Sequence, residues 1–222
     1  MPGADGTARC LAAAYTPPMH AGARVIPAYQ YQRSRWANQA GWTREIQAWP
    51  ATGAWSWRLS IAEIEAPAPF SLFPGVEREL VLLRGEGLRL RLGNDARPVE
   101  LRPPYGRLRF DGGQAATGEP LQRCEVFNLM WRPREVEATL WHRPLAGAML
   151  IFVDPGTTWA LHLLGGQAVI GGQARLPGLG TGDTALLGAQ GRRERFVVDG
   201  GGEVLLARLA PPGAGAGAAP AQ

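Results

Sequence analysis

Apolar and polar residues alternate with a period of two in four stretches of the chain, and the alternation predicts strands. In WSWRLSIAEI, residues 55–64, Trp55, Trp57, Leu59 and Ile61 share one face, and Ser56, Arg58, Ser60 and Ala62 share the other. LRLRL sets Leu88, Leu90 and Leu92 against Arg89 and Arg91, and RLRF repeats the pattern with Leu108 and Phe110 inward. EVFNLMW places Phe127, Leu129 and Trp131 opposite Asn128 and Met130. Gly and Pro recur every several residues and no helical stripe exceeds two turns, which is the texture of a many-stranded sandwich or barrel. The 222 residues suffice for one large all-β unit or two small linked barrels with a real core.

A faint internal repeat supports the second arrangement. LVLLRGEGLRLRL (80–92) and WALHLLGGQAVI (159–170) each read as a strand, a Gly-bracketed turn and a second strand. Each is followed by a further turn and strand, PPYGRLRFDGG and GLGTGDTALLG. Two related β-modules are therefore expected, residues 24–142 and a smaller 143–210, linked around 142–149. Residues 1–23 and 211–222 are rich in Ala, Gly and Pro and lack apolar faces that burial could use, so both ends are expected to be disordered.

Composition excludes several classes. The net charge is +4, but the basic residues are dispersed, so only weak nonspecific attraction to nucleic acid follows and no nucleic-acid partner is expected. All 23 basic residues are Arg, so any anion site must use guanidinium forks. The opening segment has Arg9 and few apolar residues, too weak for a signal peptide, and no run reaches membrane-spanning length. A cytoplasmic protein without a membrane partner is expected. Cys10 and Cys124 lie in unlike contexts, a tail and a strand, which argues against a bridge and for a reduced compartment.

Catalytic motifs are sparse. His20, His142 and His162 are too far apart in sequence for a paired-ligand motif, so neither a metal nor a cofactor is expected. His162 alternates with Ala160 and Leu164 on a core-facing strand and reads as a hydrogen-bonded structural histidine. There is no Gly-x-Ser-x-Gly elbow, Cys124 has no base nearby in sequence, and the glycines from Gly171 to Gly182 read as turns. No catalytic residue is assigned on these grounds. What remains is a polar set among aromatics: Asn38, Thr43, Arg44, Glu45, Arg58, Ser60, Arg78 and Asn128. Arg58 and Ser60 share a strand face, and a buried fork beside a hydroxyl suits a carboxylate, formyl or amide ligand. Alternatively, Arg58 pairs with Glu45 or Glu77 as an internal brace; spacing alone leaves both readings open. Arginines 89, 91, 107 and 109 read as a solvated strand face, and Trp55 and Trp57 as core rather than a stacking platform.

The blocks WANQAGWTREI, WSWRLSIAEI, PFSLFPGVERELVLLRGEGLRLRL and VFNLM resemble, in order and approximate spacing, the HutD/Ves family over roughly residues 26–206. The resemblance implies a cupin-like fold, an RmlC-like jelly-roll β-barrel in a two-module, bicupin arrangement, and an association with histidine utilisation. The match is not complete. Ala37, Gln39 and Ala40 stand where the family has Lys and two glycines, and Val126 where it has Asp, while Asn38, Gly41, Thr43, Arg44, Glu45, Arg58, Ser60, Phe73, Gly75, Arg78, Asn128 and Met130 match. Gln and Ala in place of glycines restrict the backbone and fill space. The resemblance implies a ligand pocket with Trp36 as a wall and Asn38, Thr43 and Glu45 beside Arg58, Ser60, Arg78 and Asn128. Within it, Thr43 and Glu45 share one strand face and Arg44 takes the other.

Three functions compete. The first is a non-enzymatic binder of a small carboxylate or formylated amino acid, such as N-formylglutamate or urocanate, that modulates histidine utilisation. The second is a metal-independent enzyme on a formyl, imino or sugar-like substrate with Glu45 as general base and Arg58 as charge stabiliser. A carboxylate locked to an arginine counts against it. The third is a partner-binding protein with a vestigial pocket; a homodimer is left open.

Overall fold

The computed structural model describes residues 22–95, 97–171 and 176–214. Apart from a three-residue 3-10 turn at Ala28–Gln30, every regular element among these residues is a strand. In chain order the strands are β1 (Gly22–Ile26), β2 (Gln32–Arg35), β3 (Gly41–Trp49), β4 (Trp57–Ile64), β5 (Ala68–Pro69), β6 (Glu77–Arg84), β7 (Leu88–Leu92) and β8 (Val99–Leu101). They continue as β9 (Arg107–Asp111), β10 (Ala116–Pro120), β11 (Cys124–Trp131), β12 (Glu137–Val153), β13 (Thr158–Gly171), β14 (Leu179–Gly180), β15 (Thr184–Gly188) and β16 (Glu194–Ala210).

They form three antiparallel sheets. A central sheet runs β2-β3-β4-β11-β6-β9, a small sheet β5-β10-β7-β8 covers one of its faces, and a third sheet runs β1-β15-β13-β16-β12 with β14 beside β13. The alternation in the sequence explains the layering, because both faces of the central sheet are buried. Trp57, Leu59, Ile61, Phe127, Leu129 and Trp131 pack against Leu140, Ala160, Leu186, Leu205 and Leu209 of the third sheet. On the opposite face, Ala62, Ile64, Leu80 and Val126 meet Leu88, Leu90 and Leu101 of the small sheet. A separate core built on Met149, Ile151, Trp159, Leu161, Val198 and Leu206 lies within the third sheet. Each fully buried Leu or Phe contributes about 2 kcal/mol relative to exposure.

The structure corrects several expectations. Residues 142–149 are no link; they lie inside β12, which pairs with β16 along its whole length. Gly22 and Ala23, expected in the tail, belong to β1, and residues 24–26, expected in the first module, pair with β15 of the third sheet. The rest of the expected tails, 1–21 and 215–222, lies outside the described residues. Gly165 and Gly166 do not close a turn: β13 is continuous there, with a bulge between Leu163 and Gly165. Trp55 precedes β4 and is half-buried beside Phe73 instead of lying in the core, with ring centroids 6.0 Å apart. Cys124 is a buried free thiol, and burial pushes its pKa up to about 11.

Candidate functional site

Strand register builds the site on the small-sheet side of the central sheet. Ser60 lies across from Asn128, and Asn128 across from Leu80, in one row; in the next row Arg58 and Arg78 flank Met130 from opposite sides. Thr43 joins from β3, opposite Ala62. Period-two geometry sends all these side chains to the same face. Segment 69–73 closes over them and leaves a cavity of about 280 Å³ lined by Trp36, Asn38, Thr43, Arg58, Ser60, Arg78 and Asn128, together with Ala37, Phe70, Ser71, Phe73, Val126 and Met130.

Glycines make room for the aromatic walls. A Cβ at Gly118 would meet the Phe70 ring at 2.9 Å, and one at Gly112 would come within 2.8 Å of the Val76 carbonyl and 3.1 Å of the Phe73 carbonyl. Phe73 N donates to the Gly112 carbonyl and Gly112 N to that of Val76, both at 2.7 Å, which pins the closing segment to the end of β9. Trp36 stands edge-on to Phe70 and donates from Nε1 to Thr43 Oγ1 at 2.9 Å. The turn leading from Trp36 into β3 holds Gln39 at φ 58°, the left-handed region that favours glycine.

Arg78 dominates the electrostatics. It is 6% exposed, its Nε is buried without a hydrogen-bond partner, and no ion pair engages it among the described residues. Its guanidinium lies 5.1 Å from the Phe70 ring, 5.2 Å from Phe110 and 5.9 Å from Phe73. Burial, and after it the charge of Arg58, lowers its pKa to about 10. Ser60 Oγ and Asn128 Oδ1, in the same cavity, are also buried without partners, and Asn128 Nδ2 makes only a weak contact to Met130 Sδ at 3.3 Å. Unpaired buried groups of this kind each cost about 1–3 kcal/mol. Three such groups converge on one cavity.

Glu45 is placed differently. It faces the row of Ser60 but does not line the cavity; its Oε2 accepts from Arg58 Nε at 2.6 Å. A bulge at Ile46 offsets β3 against β4 and sets this diagonal contact. Of the two readings of Arg58, the structure therefore has the brace to Glu45, with Arg58 still at the cavity wall. Arg44 turns to the opposite face, 3.0 Å from Glu63 and 2.9 Å from Glu125. Phe70, Ser71 and Ala37 were not singled out as pocket residues from sequence. Segment 69–73 has no periodicity, and its only signal is two aromatics ahead of the Pro74–Gly75 turn.

The layers and cavity define a cupin-fold protein, and the comparisons agree. The bacterial pirin YhhW of Escherichia coli, solved in complex with nickel(II), is similar in fold at a TM-score of 0.64 and 10% identity, over 86% of this chain and 99% of that one. HutD from Pseudomonas fluorescens SBW25, solved in a formate condition, is similar at a TM-score of 0.74 and 25% identity, over 86% of this chain and 100% of that one. The sequence profile of the HutD family matches residues 28–206, and the chain belongs to that family. Among curated proteins it is similar to an uncharacterised 21.2 kDa protein in the hutC 3' region of Pseudomonas putida, 35% identical over 127 residues. It is also similar to protein Ves of Citrobacter koseri, 57% identical over 51 residues. The matches cover 53% and 22% of this chain, and only 62% and 27% of the length of those relatives. The metal of the pirin has no counterpart in the donor set here: among the described residues no His, Cys, Asp or Glu lines the cavity, so its residues do not fit a metal ion. No helix among the described residues is long and apolar enough to cross a membrane.

Proposed function

We propose that this protein is a non-enzymatic receptor for a small carboxylate or formyl-bearing metabolite, of the kind of N-formylglutamate or urocanate, and that through it the protein modulates histidine utilisation in the cytoplasm. The observation that carries this reading is Arg78, a buried guanidinium without a counter-ion among the described residues, set beside Ser60 Oγ and Asn128 Oδ1, likewise unpaired among them. An anion entering the cavity supplies the missing charge, and its polar groups find a hydroxyl and an amide already desolvated. The location of the P. putida relative in the hutC 3' region supports the pathway. The two-module arrangement, with the ligand in the first module, is part of the same reading. Base catalysis by Glu45 is the weaker alternative, because that carboxylate lies outside the cavity lining and is held by Arg58.

Thermal shift of the purified protein with formate, urocanate and N-formyl-L-glutamate tests the proposal, on wild type and on Arg78→Met. A ligand that prefers the folded state raises its stability, by about 2.7 kcal/mol at a hundredfold excess over Kd. The wild-type midpoint is expected to rise with ligand concentration, and the response is expected to vanish in Arg78→Met. Without ligand the variant is expected to be more stable by about 1–3 kcal/mol, since it removes an uncompensated buried charge. A folded wild type that ignores all three ligands would favour the partner-binding alternative.

A further inference from the structure

Far from the cavity, one face of the third sheet leaves apolar side chains in water. Along β12, Met149, Ile151 and Val153 are buried in the sheet's own core, and the residues between them turn outward. These are Ala148, Leu150 and Phe152, with Leu150 39% and Phe152 45% exposed. Register extends the face over two more strands: on β16, Val197 lies opposite Leu150, Arg195 opposite Phe152 and Asp199 opposite Ala148. On the far side of β16, Asp199 lies opposite Val169 of β13, which is 57% exposed, and Val197 lies opposite Gly171. The face thus has an apolar centre, with Arg195 at one end and Asp199 at the other. Neither charge has an ion pair or hydrogen bond among the described residues. Arg193, 3.5 Å from Asp154, lies 4.8 Å from the Phe152 ring and covers only part of it.

We propose that this face, centred on Leu150 and Val197, is the contact surface of a reversible homodimer. Contiguous exposed apolar surface of this kind marks an interaction site, and the order of residues along β16 selects a second copy of the chain as its occupant. Arg195, Val197 and Asp199 read positive, apolar, negative on one side of the strand. Two such faces can stack about 10 Å apart around a twofold axis that crosses the strands at the row of Leu150 and Val197. That axis brings Arg195 of each copy against Asp199 of the other. It also sets Phe152 against Ala148, a large side chain against a small one, and lets Leu150 and Val197 meet their own copies at the centre. Five residues along three strands span only about 17 by 15 Å. This is well below the roughly 800 Å² per partner of a standard interface, so the dimer is expected to be weak, with a Kd on the order of 10–100 µM.

Sedimentation equilibrium of the full chain, over about 5 to 500 µM to bracket that Kd, tests the proposal. The mean mass of wild type is expected to rise from monomer toward dimer across the range. Leu150→Lys sets two ammonium groups against each other at the axis and is expected to keep the chain monomeric. Arg195→Asp and Asp199→Arg each put like charges face to face, and each is expected to weaken the dimer at least about tenfold. The two exchanges combined restore opposite charges across the axis and are expected to recover association, which damage to the fold by either substitution would not allow. Both positions are exposed, so the exchange leaves the buried core untouched. A wild type that stays monomeric throughout the range overturns the proposal and leaves the face to a different protein. A dimer that ignores Leu150→Lys, or that the combined exchange fails to restore, forms through another surface and overturns it as well.

Discussion

His162 is enclosed where the central and third sheets meet, its Nδ1 3.0 Å from Thr184 Oγ1 and its ring centroid 5.3 Å from that of Phe127. Thr184 Oγ1 also lies 2.7 Å from the hydroxyl of Tyr31, which in turn donates to the Gly182 carbonyl at 2.7 Å. Burial, reinforced by Arg44 and opposed by Asp183, pushes the pKa of His162 from 6.5 down to about 4. Between those values the unfolded chain carries the proton and the folded protein does not, so stability falls as the pH is lowered through this window and this loss levels off below pH 4. The loss from this one group is about 3 kcal/mol. Urea denaturation at pH 7 and pH 4 is expected to show a drop smaller by about that amount in His162→Gln than in wild type; equal drops would mean that the imidazole is not held neutral. The role of His162 was readable from its alternation with Ala160 and Leu164. Arg78 was readable as a member of the polar set, but its lack of an ion pair among the described residues was not, because a missing counter-ion is a property of everything packed around a side chain. Arg58 was readable as far as its strand face, and its choice between Glu45 and Glu77 depended on a bulge in the neighbouring strand.

The long strands of the third sheet show what glycine does at the scale of an element. β12 and β16 each run for 17 residues and β13 for 14, and Gly165 and Gly166 of β13 face Gly202 and its neighbours on β16. A Cβ on Gly166 would stand 1.9 Å from the Gly201 carbonyl oxygen, and the residue has φ +91°. Here the backbones approach too closely for any side chain, and the bulge bends β13. Gly166→Ala is expected to cost at least about 3 kcal/mol, because both clash and torsion oppose it and the contacting atoms are backbone. The neighbouring Gly165, with open space at its Cβ, is expected to accept Ala with a far smaller loss. Urea midpoints for the two variants would compare them directly, and similar losses would dissociate the bend from steric contact. A Gly pair between apolar runs fits a turn and a bulge alike, which is why the sequence suggested a hairpin here. β4 and β11 were legible because each of their faces meets a different layer, so the period of two survives intact in the sequence.

At the scale of the molecule, the two β-modules expected from the sequence share a core. Ile46, Leu59, Val81 and Phe127 of the central sheet pack with Leu140, Leu186, Leu205 and Leu209 of the third, and Ile26 from the N-terminal strand lies among them. β1 pairs with β15 while β2, only a few residues later, pairs with β3, so one short segment is woven into both sheets. Neither sheet can lose its structure without exposing the apolar face of the other, and the protein is expected to unfold in a single calorimetric transition with equal calorimetric and van't Hoff enthalpies. Two resolved transitions would show that the shared core does not couple the halves. Tyr31→Phe removes the hydroxyl that joins the segment after β1 to Gly182 and Thr184, and is expected to lower that one transition by a few degrees, corresponding to about 1–2 kcal/mol. The coupling reaches the cavity as well. Ser60 and Asn128 point into it from the same strands whose alternate residues, Leu59 and Phe127, fill the shared core, so a ligand that fixes one face stiffens the sheet on which both halves rest. Ligand is therefore expected to raise the whole transition without splitting it, and a scan in which only part of the heat absorption moves would place the binding energy in one half alone.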